Sequence, residues 1–543
     1  MAESPNTKAL ALIQKLATQI QVGCALGSMS PSIYDTAWLS MIRKSGVHGG
    51  PEEWLFPECF DYILLQQSPS GAWESYATPV DGILNTAAAL LSLKGRLKVE
   101  PGHGEWVIRS KKAEESLKQL LSSWDIYSTD QVGFELLVIT HLELLEQHDV
   151  CIKLPHIDIL HEMRKAKLAK IPLPMIYRSP STLHHSLEAF IGHIDFDRIR
   201  PLQDANGSMM GSPASTAAYL MNSSDWDDKA ETYLRNVVTR NEHGYSQGGV
   251  PSAWPTPLFE LSWIITAFAS AGIDLDPMAT DDLRTFIQTT FEAQGNLVGF
   301  APNSLPDADD TAKTLEALHY MGYMGDVDNF INAYEGAEYF VTYPGERNPS
   351  FSANCNALIL FLLRAEDGDA SFSRIVKTLR FLTVSVREKR VHDKWHLSEL
   401  YWMMLLSRAF ELLVRRRKLL TELSNSEPKL RKDIDFVSEH ILSQILLSQH
   451  ADGSWQGICE TTAYAVLALN SLSKLQWIHP LSISKVVGAM SAGKSYLMSR
   501  QLEWSKGAYL WIEKVTYSLS YVSEAYCIAA SFVALPQRDR PAL

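Results

Sequence analysis

A short pattern, glutamine, three residues, glycine, one residue, tryptophan, occurs at Gln67–Trp73 and again at Gln449–Trp455. Gln203–Met209 repeats it with methionine in the last place. Such a pattern reads as a helix end: the glycine turns the chain, and the indole packs into the neighbouring helix pair. The copies are too unevenly separated for a strict solenoid. Unless they are chance matches to a loose pattern, they predict stacked helical hairpins of the α-barrel kind. The rest of the chain agrees. Leu12, Ile13, Leu16 and Ile20 recur at helical spacing behind a Thr7 cap, and Ser398–Leu413 and Cys459–Leu472 are too apolar to be exposed on both faces. Alternating strand patterns are few and short. With 543 residues and 46% hydrophobic content the chain can build two or three cores. We read an all-α protein of two packed helical bodies. The Pro/Gly-rich stretch Gly248–Pro257 is a candidate junction, and Tyr343–Pro349 is a second cluster of this kind.

A net charge of −13 is a poor match to nucleic acid. It requires that any anionic substrate meet a local cationic pocket. The six cysteines (Cys24, Cys59, Cys151, Cys355, Cys459, Cys527) show no Cys-x-x-Cys pair, which argues against a zinc site or a disulfide framework and fits a reducing compartment. The longest apolar run, Ala357–Leu363, is of core length, far short of the ~20 residues of a membrane span. The N-terminus has no signal-peptide core and carries Glu3 with no early arginine. The expected compartment is the cytoplasm.

The sharpest local signal is Leu305-Pro-Asp307-Ala-Asp309-Asp310-Thr-Ala312. Proline followed by acids is what a helix N-terminus favours, since free N–H groups and the macrodipole attract negative charge. The same crowding has a second consequence. Carboxylates a few ångströms apart cannot all ionise cheaply, and burial adds to the effect, so one stays protonated near neutral pH. An isolated alkene is a very weak base and is protonated only by a strong, dry, well-aimed acid.

Asp307-Ala-Asp309-Asp310-Thr-Ala resembles the D-x-D-D-T-A signature of class II terpene cyclases, and the tryptophan pattern is similar to one found across that superfamily. Ser30–Trp38 (with Tyr34-Asp35-Thr36-Ala37), Gly133-Phe134-Glu135, Ser181–Glu188, Gly248-Gly-Val-Pro251 and Asp393-Lys394-Trp395 are similar to further segments of its diterpene branch, in the same order. The resemblance implies two α-barrel domains in a βγ arrangement with the active site at their interface. A β domain (1–34 plus 249–543) would carry the acid, and a γ domain (35–248) would be inserted in it. It implies that Asp309 is the general acid, raised and oriented by Asp307 and Asp310 and hydrogen-bonded by Asn356, with Asn354 as the alternative. It implies that Lys167 and Lys394 hold the substrate's diphosphate, with Lys170 a less favoured choice, and that Mg²⁺ assists. The acidic metal motif is reduced here to Asp125 and Asp130, at altered spacing. His185 matches the histidine of the His–Asn pair that holds a deprotonating water in plant enzymes, but the asparagine position reads Ser252. Carbocations are stabilised by aromatic faces, and Trp254 is expected either near the pocket or as a packed loop residue. The implied reaction converts geranylgeranyl diphosphate to a copalyl-type bicyclic diphosphate. Farnesyl diphosphate cyclisation to a drimane-type product is the alternative.

No D-D-x-x-D motif of diphosphate-ionising synthases is found. Asp227-Asp228-Lys-Ala-Glu231 is an imperfect echo, expected on the surface. The diphosphate is therefore expected to stay on the product, in a monofunctional enzyme or in the cyclase part of a fusion with a prenyltransferase or class I synthase. Two remote readings remain. Gly488–Ser495 fits the phosphate-cradling G-x-x-x-x-G-K-[ST] loop, with 482–487 as its strand, and the chain could be a helical scaffold without chemistry. Arg415–Lys418 is expected to be a solvated helix face.

Overall fold

The computed structural model describes residues 3–23, 26–46, 50–129, 131, 133–152, 157–171, 173–239, 248–275, 277–302, 304–346, 348–364, 371–512 and 514–536. It is mostly helical, as the periodicity predicts. Proline at the first helical position recurs with a hydroxyl cap before it, because proline's missing N–H costs nothing there and the cap satisfies a free donor. Ser4, Thr78 and Ser212 cap the helices that start at Pro5, Pro79 and Pro213, accepting from the N–H of Thr7, Asp81 and Ser215. The first helix, Pro5–Gln21, therefore starts at a Ser4 cap, three residues before the expected Thr7.

The helices close into two rings. Helices Pro257–Ala271, Ala308–Tyr320, Phe351–Arg364, Glu399–Arg415, Cys459–Leu472 and Ser520–Phe532 each pack on the next, and the last packs back on the first. Other helices, among them Ser371–Arg387, Pro428–Leu447 and Pro480–Ser499, lie against this ring. A second ring joins Ile33–Ser40, Pro79–Val99, Phe134–Glu146, the 3₁₀ segment Thr182–Phe190 and Pro213–Asn222. The chain passes between the rings near Pro31–Ser32 and near Val250–Pro251, and these two crossings pair as a short antiparallel ladder.

The three copies of the opening pattern are one device. In each, the glutamine amide donates to the carbonyl of its own glycine: Gln67 to Gly71 at 2.9 Å, Gln203 to Gly207 at 3.0 Å, and Gln449 to Gly453 at 3.0 Å. The three glycines have φ of +98°, +92° and +91°, and a side chain on any of them would collide with the carbonyl of Lys112, Lys229 or Ala492, each in the second helix downstream. Glycine is required twice over, by conformation and by close approach. Trp73 and Trp455 are fully buried and donate back to Ile63 and Ile445. Met209 fills the same place without a donor.

Several local expectations are corrected. Residues 482–487 and the loop-like Gly488–Ser495 lie inside the helix Pro480–Ser499, so no strand-to-helix phosphate cradle exists there, and Lys494 donates to the Val533 carbonyl instead. Asp227 is buried, accepts from the Tyr219 hydroxyl at 2.8 Å and caps the next helix. Arg416 is not solvated with its neighbours: it donates to the carbonyls of Leu362 and Leu363, which close the helix Phe351–Arg364. Among the described residues no helix is long and apolar enough to cross a membrane, and Cys59, Cys151, Cys355, Cys459 and Cys527 are free thiols. Cys24 lies outside the described residues.

A hairpin of Leu510–Ile512 and Val515–Tyr517 bridges the rings. Its Thr516 donates from backbone and hydroxyl to Asp81. Lys514, at the turn and fully buried, donates to Ser212 Oγ at 2.6 Å, the His185 carbonyl at 2.8 Å and Glu188 at 3.2 Å, with Asp35 3.5 Å away. All five of these polar partners belong to the second ring, so the hairpin is fixed to it by charge as well as by packing.

Candidate active site between the two rings

Asp307 starts the site. It caps the helix Ala308–Tyr320, its Oδ1 accepting the Asp310 N–H at 2.8 Å. Its own N–H is taken by the Val298 carbonyl, and that of Ala308 by Thr342. These bonds place Asp309 and Asp310 in the first turn, both buried. The motif is a helix start, and its three carboxyls are crowded together out of solvent. The position is set by the barrel repeat. The N–H of Trp73, Met209 and Trp455 each donates to a threonine on the following inner helix, Thr86, Thr216 and Thr462, at 2.9–3.1 Å. Val298 donates to Thr311 in the same way at 3.1 Å. Asp309, two residues before that threonine, thus occupies a standard first-turn position of an inner helix.

The Asn356 amide, on the neighbouring inner helix, donates to Asp309 Oδ1 at 2.6 Å. Asn354 faces away, exchanging hydrogen bonds with Phe340 and Ser350. With Oδ1 held as an acceptor, Oδ2 of Asp309 is left to carry a proton. Burial is the main force raising the Asp309 carboxyl to about 7, with Asp307 and Asp393 adding to it, while Asn356 and Lys313 oppose. Burial likewise raises Asp307 to about 6 and holds Asp310 well above the usual carboxylate range. Asp393 is a fourth raised carboxyl, oriented by the N–H groups of Trp395 and His396. Glu460 is a useful contrast. It sits at the equivalent position of its own helix and is also raised to about 7, chiefly by burial. Both its oxygens are occupied, by Tyr464 Oη and the Ala508 N–H, so it is a structural carboxyl.

Asp307, Asp309 and Asp310 open into a cavity of about 60 Å³. Both rings and the hairpin wall it: Phe259, Trp263, Phe300 and Trp395 supply ring faces and edges, Met210 and Thr182 come from the second ring, and Leu510, Ile512 and Tyr517 come from the hairpin. His185 lines it too. Its Nδ1 lies 3.3 Å from the Met210 carbonyl and its Nε2 has no protein partner. Burial first, and then the Lys514 cation, hold the imidazole well below its usual pKa, so it is neutral. A carboxyl with a raised pKa and an imidazole with a lowered one therefore share one chamber, their environments pushing the two in opposite directions.

Not every expected residue is here. Trp254 is buried, but its ring packs over Gly27 and beside Tyr233 and does not line the cavity. Ser252 donates to Met29 Sδ at 3.2 Å and is likewise outside it. Lys167 pairs with Glu135 at 3.5 Å and Lys394 with Glu346 at 2.9 Å, so both cations exist but each is matched to a carboxylate. Lys394 adjoins the lining residue Trp395, and Glu346 follows Tyr343, another lining residue. Lys170 is exposed. Asp125 is exposed, and its Oδ1 accepts the N–H of Tyr127; Asp130 lies outside the described residues. Among the described residues no cluster of three or more His, Cys, Asp or Glu side chains could hold a metal. Asp393 and Trp395, which flank Lys394, join the site without any local signal in the sequence beyond the Asp-Lys-Trp motif itself.

No family model matches the chain. It is 37% identical over 533 residues, 96% of this chain, to a copalyl diphosphate synthase of Talaromyces verruculosus, and 33% identical over 550 residues, 99% of this chain, to a bifunctional premutilin synthase of Rhodocybe pseudopiperita. The ent-copalyl diphosphate synthase of Streptomyces platensis has the same fold, with a TM-score of 0.75 at 24% identity, over 97% of this chain and 99% of that one. The chain belongs to the class II diterpene cyclase family. It spans 55% and 56% of the length of the two curated relatives, so about half of each lies beyond the region of likeness.

Proposed function

We propose that this class II diterpene cyclase converts geranylgeranyl diphosphate to a copalyl-type bicyclic diphosphate, keeping the diphosphate. The observation that carries the reading is the buried Asp309 carboxyl, held by Asn356 and facing a chamber with aromatic walls. Asp309 Oδ2 gives its proton to the terminal alkene. The cation then passes inward through two ring closures beside Trp263, Phe259 and Trp395, whose π-faces stabilise positive charge without offering it a base. His185 Nε2 takes the proton lost at the end. One proton enters and one leaves, so the net reaction is an isomerisation, and solvent returns the acid and base to their starting states. The names of the relatives support the substrate class.

The diphosphate end is assigned to Lys167 and Lys394, where a strong anion would compete with Glu135 and Glu346 for the ammonium groups. Mg²⁺ keeps several waters and binds through one or two carboxylates plus the substrate's phosphates. Glu135, which pairs with Lys167, is a single carboxylate of that kind, Asp125 and Asp130 stay candidates from the sequence alone, and the ion would supply charge screening to the diphosphate. Replacing Lys167 or Lys394 by alanine is expected to raise KM by about tenfold or more, the worth of one charge-assisted hydrogen bond, with a smaller effect on kcat. Unchanged KM in steady-state kinetics would remove that lysine from the site. A retained diphosphate makes the product a substrate for an ionising class I synthase, and the relatives named as bifunctional extend well beyond the shared region. The deciding assay offers geranylgeranyl and farnesyl diphosphates separately, followed by dephosphorylation and chiral chromatography. A bicyclic C20 alcohol is expected; a drimane alcohol from farnesyl diphosphate alone would overturn the substrate.

A further inference from the structure

One helical turn below Asp309, on the same face, lies Lys313. It is fully enclosed, 1% exposed, and its ammonium donates to Glu316 Oε2 at 3.1 Å. Glu316, itself 0% exposed, is also bonded by the guanidinium of Arg408 at 2.5 Å. Two cations thus share one carboxylate. The Glu316–Arg408 pair is complete in itself, so ionised Lys313 leaves one surplus positive charge, and the next carboxyl to act on it is Asp309. The ammonium also lies 5.7 Å from the ring centre of Trp263, which walls the acid's cavity. A buried surplus cation is costly unless an anion appears beside it. Such an anion does appear, once per turnover, when Asp309 has given up its proton.

We propose that Lys313 is a positioning residue for the proton transfer, its ammonium placed to stabilise the carboxylate that Asp309 becomes. The inference rests on Asp309 being the acid. It makes the charge arrangement complementary to the state after transfer, which is where electrostatic preorganisation accelerates a step. The other charged or titratable groups facing Asp309 are Asp307 and Asp310 on its own turn, Asp393 on the segment after Arg387, Cys355 beside Asn356, Tyr401 on Glu399–Arg415 and Tyr517 on the hairpin. His396 lines the cavity and is held neutral by burial and by Lys313 itself. Lys313 is the one cation among them, so its removal has no substitute.

The test is the pH dependence of kcat in Lys313→Met, Lys313→Gln and Lys313→Arg, with folding checked by thermal melts and Asp309→Ala run alongside. Loss of the charge is expected to lower kcat about tenfold or more and to move the alkaline limb of the profile up by about one pH unit, because the acid is weaker. KM should hold within about twofold, and arginine should restore both limb and rate. Glu316→Gln, which adds surplus positive charge, should move the limb the other way, and it serves if the methionine and glutamine variants do not fold. A wild-type limb in folded neutral variants, or an unmoved limb in Glu316→Gln, overturns the role of Lys313 while an inactive Asp309→Ala still upholds the acid. An active Asp309→Ala would instead sink the underlying reading.

Discussion

Asp309→Ala is expected to lose activity by about four orders of magnitude or more while the protein keeps its fold. General acids contribute ~10²–10⁴-fold in ordinary reactions, and an isolated alkene is among the least basic groups an enzyme protonates. The two carboxyls beside it are poorer proton donors. Asp307 Oδ1 is committed to the Asp310 N–H, and Asp310 is held well above the usual carboxylate range by burial and by Asp307. The fold should survive because Asp309 makes no cap, and losing its side-chain bond from Asn356 leaves an amide that can face the cavity. Asp309→Asn separates shape from chemistry and should be as inactive as alanine. Turnover in either variant within tenfold of the parent would mean that the proton comes from elsewhere. The active form of Asp309 is the protonated one, so kcat should be flat at mildly acidic pH and fall as pH rises through about 7. His185 adds no acidic limb above pH 6.5, because its pKa is lowered.

The second large effect is on stability. Lys514→Met removes the one ammonium that answers two fully buried carboxylates, Glu188 at 3.2 Å and Asp35 at 3.5 Å. Breaking a buried ion cluster by deleting one partner costs about 3–5 kcal/mol, since the remaining charges stay desolvated. Part of that will be offset by protonation of Asp35, whose pKa burial already raises. The lost bonds to the His185 carbonyl and Ser212 also loosen the hairpin's hold on the second ring, leaving the Thr516–Asp81 bonds. The first unfolding transition in urea should move to clearly lower denaturant, with activity falling more steeply than the folded fraction because the hairpin walls the cavity. An unchanged midpoint would show that the hairpin is held without the Lys514 cluster, by packing and the Thr516–Asp81 bonds.

The sequence made the helices and the acid legible because both are written in local terms: periodicity, caps, and carboxylates clustered behind a proline. Asn356 was legible only through a resemblance, since nothing local distinguishes it from Asn354 two residues earlier; the structure separates them because two residues along a helix point to nearly opposite sides. Trp254 shows the limit from the other direction. An indole in a Pro/Gly-rich loop reads equally as a pocket residue or as a packed one, and only the structure decides, the space over Gly27 claiming it. The cavity's aromatic walls come from Phe259, Trp263, Phe300 and Trp395, four residues spread over more than a hundred positions, and no spacing rule gathers them. Lys313 and Lys514 were passed over because a lone lysine is usually solvated. Only the assembled rings show that both are enclosed and that each is part of an ion cluster.

Running the reaction in heavy water tests the central claim most directly. If a solvent-exchangeable carboxyl at Asp309 starts the cascade, the bicyclic product from unlabelled geranylgeranyl diphosphate should carry one deuterium, at the carbon that was the protonated end of the terminal alkene, with its diphosphate still attached. A product with no deuterium, or one formed with release of inorganic diphosphate, would contradict the account.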